Sequence, residues 1–207
     1  MAIPYRRRKP AGTYAFIDSQ NLNLGTQRMG WKLDWRKFRQ YLQDTHGVTK
    51  AFMFIGYLSE NESLYEYMHE LGFLVVLKPT VDVKQFRDHI APQTAIDPTA
   101  PVIKDSKEHE EKEKSTVKGN VDAELVLYAM KELPNYNKAI IVSGDGDFFS
   151  LAEYLEQIGR LAHILTPNWQ YSSLLKQFDA KIIRLDQLRN QLTYYDRKSR
   201  GRSKPTR

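Results

Sequence analysis

The chain has no cysteine among its 207 residues, which removes disulfides and thiolate metal centres from its chemistry. Its five histidines, His46, His69, His89, His109 and His163, show no ligand-like spacing, and this argues against zinc. No apolar run approaches the roughly 20 residues needed to cross a bilayer. The opening Met-Ala-Ile-Pro-Tyr-Arg lacks the apolar core of a signal peptide, so a soluble, cytoplasmic protein is expected. Phosphate-binding P-loop and dinucleotide fingerprints are absent too, which disfavours a nucleotide cofactor. The hydrophobic content of 41% is enough for one well-buried domain at this length.

Charge is present in quantity but unevenly placed. Ten of the 31 basic residues lie in two tails: Arg6, Arg7, Arg8 and Lys9, then Arg197, Lys198, Arg200, Arg202, Lys204 and Arg207. The body keeps 21 basic residues against 25 acidic ones and is slightly negative. Basic arms on an acidic body suit a polyanionic partner held without base specificity and with marked salt dependence. Such termini also serve simply as solubilising segments. Residues 1–12 form the expected amino-terminal arm, and residues 189–207 the end of a last helix with the basic carboxyl-terminal tail.

Between the tails, strand and helix patterns alternate. Apolar runs at 14–18, 51–58, 73–77, 138–143, 161–165 and 181–185 are predicted strands. Helices are predicted at 34–43 with Asp34 as N-cap, at 62–71 stopped by Gly72, and from 120 or 121 to before Pro134. Three more follow at 147–157, 172–178 and 186–194, while 19–30 reads as a polar loop. This alternation predicts an α/β three-layer sandwich with a mostly parallel central sheet, spanning residues 13–188. Four prolines and a charged stretch make residues 79–118 an expected insertion. Apolar helix faces leave room for a homodimer.

Four aspartates stand out against this frame. Asp18 ends the run Tyr14-Ala15-Phe16-Ile17; Asp145 and Asp147 follow Ala139-Ile140-Ile141-Val142; and Asp122 begins a helix. Strands buried on both faces form parallel sheets whose ligands gather at the carboxyl ends. Carboxylates brought together there repel one another unless a divalent cation neutralises them, and oxygen-only donors suit Mg²⁺ or Mn²⁺. Each acid also has a plain structural use. Asp18 caps a turn, Asp147 caps the helix that follows it, and Asp122 complements a helix dipole. Asn21 is placed to position a phosphate or to make the turn, and Lys118 to reach a phosphate or to sit on the surface.

Three motifs in order carry a family resemblance: Asp-Ser-Gln-Asn-Leu at 18–22, Lys-Gly-Asn-Val-Asp at 118–122, and Ser-Gly-Asp-Gly-Asp-Phe at 143–148. Together they resemble the NYN family of PIN-like ribonucleases, including its LabA-like branch, over roughly residues 13 to 188. The resemblance implies a PIN-like fold and Mg²⁺- or Mn²⁺-dependent cleavage of RNA. It implies Asp18, Asp122, Asp145 and Asp147 as the catalytic and metal-binding set, with Asn21, Lys118 and Ser143 on the substrate. Relatives often carry another acid further along the helix of Asp122, where this chain has Leu127-Tyr128-Ala129, so one metal or two stays open.

Two other readings stand beside it. A catalytically weak RNA-binding or regulatory module would use the tails and aromatics such as Trp31, Trp169 and Tyr171 as grips. A haloacid-dehalogenase-type phosphotransfer site needs an aspartate two residues after Asp18, where Gln20 stands, and a Toprim-type site wants glutamate in place of Asp18.

Overall fold

A computed structural model describes residues 12–79 and 121–195. The two basic arms, the body of the expected insertion and Lys118 lie outside the described residues. The strands β1 (Thr13–Asp18), β2 (Val48–Tyr57), β3 (Leu74–Pro79), β4 (Lys138–Val142), β5 (Leu161–Thr166) and β6 (Ile182–Arg184) form one sheet. Their order is β3-β2-β1-β4-β5-β6, and every adjacent pair is parallel. The expected α/β sandwich is therefore present, with a wholly parallel sheet.

Helices α1 (Ser19–Arg28), α2 (Trp35–His46), α3 (Glu62–Glu70), α4 (Asp122–Lys131), α5 (Phe149–Gln157) and the short α6 (Arg189–Leu192) surround the sheet. Side chains alternate across a strand, so β1 feeds two cores. Tyr14 and Phe16 pack with Leu125 and Ala129 of α4 and Leu151 and Leu155 of α5. Ala15 and Ile17 pack with Leu22 of α1, Phe38 and Leu42 of α2, and Leu192 of α6. Phe16 and Phe54 are completely buried, and truncating either to alanine would cost about 3–5 kcal/mol.

Local signals explain the helix ends. The Asp34 carboxylate accepts the Lys37 amide at 3.1 Å, as a helix N-cap should. Gly72 adopts φ of 84° just after α3, a left-handed turn that glycine takes without steric cost.

Several boundaries differ from the sequence reading. The segment expected as a loop at 19–30 is helix α1, whose buried residues are Leu22, Gly25 and Thr26. Its inward face offers one leucine where an apolar stripe would normally announce a helix. The second strand starts earlier, at Val48. The helix expected at 172–178 is a 3-10 stretch, Ser173–Lys181, kinked at Phe178. The last expected helix divides into a 3-10 turn, Leu185–Leu188, and α6.

Candidate functional site

Strand order reverses direction at β1, whose successors in sequence run to one side while β4 lies on the other. In parallel sheets such a switch opens a crevice at the carboxyl ends of the strands. Ile17 of β1 pairs with Val142 of β4, so the next residues, Asp18 and Ser143, stand side by side at the carboxyl edge. The Ser143 hydroxyl donates to Asp18 Oδ2 at 3.2 Å. Across the same crevice the Gly144 amide donates to Asn21 Oδ1 at 2.9 Å. Two of the expected substrate residues thus hold the two acid-bearing turns together.

Asp18 is only 5% exposed. Its Oδ1 accepts the Asn21 amide at 3.0 Å and so caps α1. Burial pushes the carboxyl above its ordinary value, the Asn21 and Ser143 hydrogen bonds pull it back, and the charges of Asp122 and Asp145 push it further up. Alternation along β1 places Asp18 on the side of Phe16, the same layer that holds α4 and therefore Asp122 at its start. No cation among the described residues pairs with Asp18.

The third strand end is built by glycines and hydroxyls. Ser143 Oγ accepts the Asp145 amide at 3.2 Å, and Asp145 Oδ1 accepts the Asp147 amide at 3.1 Å. Asp145, and not Asp147, therefore caps the 3-10 turn Gly146–Phe148 that leads into α5, which corrects the expected capping role of Asp147. The glycines answer a close approach. A Cβ on Gly146 would lie 2.4 Å from Ser172 Oγ, and one on Gly144 would lie 3.2 Å from Tyr171 Cβ.

Of the four predicted aspartates, Asp122 and Asp145 lie near enough to Asp18 for their charges to act on it. Asp147 is exposed on the turn beyond. Among the described residues no three acidic or histidine side chains are grouped closely enough to grip an ion as they stand. In chemistry the donors do suit a hard cation. They are oxygens only, and one is a buried carboxylate that two others already drive toward its neutral form.

Sequence reasoning missed a second layer. The loop after β5 is cross-linked to helix α1: Asn168 Nδ2 donates to the Gly25 carbonyl at 2.9 Å, and Pro167 rests where a Gly25 Cβ would stand. The Pro-Asn pair is a turn signal that marked the position without its partner. Of the three aromatics weighed as grips, Trp31 is core at 5% exposure, whereas Trp169 is 57% exposed. A cavity of about 660 Å³ opens on the other face, floored by Met53 and Ile55 between α1, α2 and α3. None of the four aspartates lines it, so this cavity and the acidic chemistry are separate.

No helix among the described residues is long and apolar enough to span a membrane. The family model of the NYN domain matches residues 13–186. A crystal structure of a protein of unknown function from Vibrio parahaemolyticus is similar, with a TM-score of 0.60 and 17% identity. The similarity covers 93% of this chain and all of that one. No curated protein matches the sequence.

Proposed function

This chain belongs to the NYN domain family, of PIN-like nuclease fold, and from that membership we propose that it hydrolyses RNA phosphodiester bonds with the aid of Mg²⁺ or Mn²⁺. The observation that carries the reading is that Asp18, buried at the end of β1, shares Ser143 with the turn bearing Asp145: the hydroxyl donates to Asp18 and accepts the Asp145 amide, while the charges of Asp122 and Asp145 act on Asp18. Capping accounts for each acid separately: Asp18 caps α1, Asp122 lies in the first turn of α4, and Asp145 caps a 3-10 turn. Capping does not account for burying Asp18 beside like charges, which costs stability unless a cation is part of the working state.

Asp18, Asp122 and Asp145 are the residues that would hold the ion, with Asp147 at the rim. When bound, the ion supplies a lowered water pKa and neutralises charge on phosphorus-bound oxygens. The chain's own groups do the positioning. Ser143 keeps one Asp18 oxygen oriented by its hydroxyl proton, and the Asn21 side-chain oxygen accepts the Gly144 amide and holds that turn against the start of α1. Lys118 is the group we assign to the scissile phosphate. The basic arms gather the polyanion over the acidic body, which would otherwise repel it.

The test is cleavage of a single-stranded RNA by the purified chain with Mn²⁺, with and without a chelator. Cleavage should need the ion, and Asp145→Asn should abolish it. An Asp145→Asn protein that cuts at the wild-type rate would exclude this chemistry. A second reading, an RNA-binding module with weak or no catalysis, keeps the same fold and arms. It predicts RNA affinity without metal-dependent cleavage.

A further inference from the structure

We propose that Trp169 is a base-stacking platform for single-stranded RNA, held beside the acidic edge by a buried polar scaffold. The inference rests on the reading of that edge as facing RNA and adds a binding residue to it.

The loop from Thr166 to Ser172 is anchored almost throughout. Thr166 is fully buried and its hydroxyl donates to the Asn168 carbonyl at 3.2 Å. Asn168, 4% exposed, donates to the Gly25 carbonyl and accepts the Gln170 amide at 2.7 Å. The Ser172 amide donates to the Gly144 carbonyl at 2.9 Å. Tyr171 lies against Gly144, and its hydroxyl donates to Asp179 at 3.2 Å. Buried polar groups satisfied in this way rigidify the backbone they hold.

Within that frame the indole of Trp169 points outward. The Asn168 side chain ties the Gln170 amide, just past the indole, to the Gly25 carbonyl of α1, which fixes the turn that presents the ring. A solitary exposed apolar residue needs no explanation. An exposed indole on a pinned loop, two residues from one that rests on the turn carrying Asp145, does. Leu174, 56% exposed, stands where a Gly146 Cβ would meet it and puts a further apolar side chain on that turn. Flat aromatic surface beside a phosphate-directed acidic site fits the face of an unpaired base, which a duplex keeps in its own stack. A protein ligand would have no need of the adjoining acids.

Binding is separable from cleavage, so the assay is run in chelator with an oligouridine and with an RNA duplex of the same length. Trp31 and Trp35 lie in the packed layer of α1 and α2, so quenching of indole fluorescence by oligouridine reports chiefly on Trp169. Trp169→Ala should weaken oligouridine binding about tenfold, leave duplex binding unchanged, and be rescued by Trp169→Tyr. With Mn²⁺ present the same variant should raise KM and spare kcat. Oligouridine affinity within twofold of wild type in Trp169→Ala would overturn the assignment and favour a protein contact. Equal losses on both RNAs, or no rescue by tyrosine, would overturn it as well. A wild-type chain that cuts no RNA, while Trp169→Ala still loses oligouridine, leaves the platform standing and removes the nuclease reading.

Discussion

At the amino ends of the strands, cations meet carbonyls; at the carboxyl ends, a buried acid faces the charge of others. Arg160, entering β5, donates to the carbonyls of Leu133 and Tyr136. Lys138, opening β4, donates to Gly159 at 2.8 Å, and the Tyr136 hydroxyl donates to the Ala129 carbonyl at 2.9 Å. Those contacts satisfy backbone groups that would otherwise lose water without compensation. At the opposite edge, Asp18 is buried with two further acids acting on it. One end of the sheet is arranged for stability, and the other holds charge that folding alone does not favour.

The sharpest way to break this contrast is to neutralise the acids one at a time. Asp145→Asn should lower RNA cleavage by at least about 10²-fold, the scale of losing one preorganised electrostatic group, with the melting temperature unchanged. Asp18→Asn should lose activity similarly yet melt higher at neutral pH in chelator. Because burial and the neighbouring charges raise its pKa, folded Asp18 keeps a proton that the unfolded chain has released. Stability therefore falls as pH rises from the ordinary 3.8 through the folded value. Asparagine caps a helix as well as aspartate does, so the variant removes the penalty and keeps the cap. The gain should shrink as pH drops toward 3.8, and thermal melts across that range would show it.

Changes at the amino ends should do the reverse. Tyr136→Phe leaves the buried Ala129 carbonyl without its donor and should cost about 1–3 kcal/mol by denaturant unfolding, with cleavage intact. If it impaired cleavage as much as Asp145→Asn, the division between the two ends would be false. The smallest effect concerns His46, which donates to or accepts from the Tyr41 hydroxyl at 3.1 Å. Burial, and then the charge of His163, hold its pKa below 6.5, so stability is full above 6.5 and declines as pH falls below it. His46→Gln should flatten that decline in melts between pH 5 and 7, taken as an approximate window about the ordinary value.

How much of this was legible beforehand follows the same division. Strand positions were plain because β1 and β4 are unbroken apolar runs, and the strand ends located Asp18, Ser143 and Asp145. Helix α1 was not, since it turns Gly25 and Thr26 inward, Gly25 against Pro167 and Asn168, a contact between residues 143 positions apart. Capping was legible at Asp34, where an apolar periodic helix follows. It was misplaced at Asp147, because two glycines let the chain turn one step earlier at Asp145. Proximity of Asp122 to Asp18 depended on which layer α4 joins, which only the alternation along β1 and the packing of Leu125 settle.

Calorimetric titration of the wild-type chain and of Asp18→Asn with Mn²⁺ tests the central claim most directly. Saturable binding by the wild type, lost or greatly weakened in Asp18→Asn, is the predicted result. Equal binding by both proteins, or none by the wild type, would show that the acids around Asp18 form no cation site.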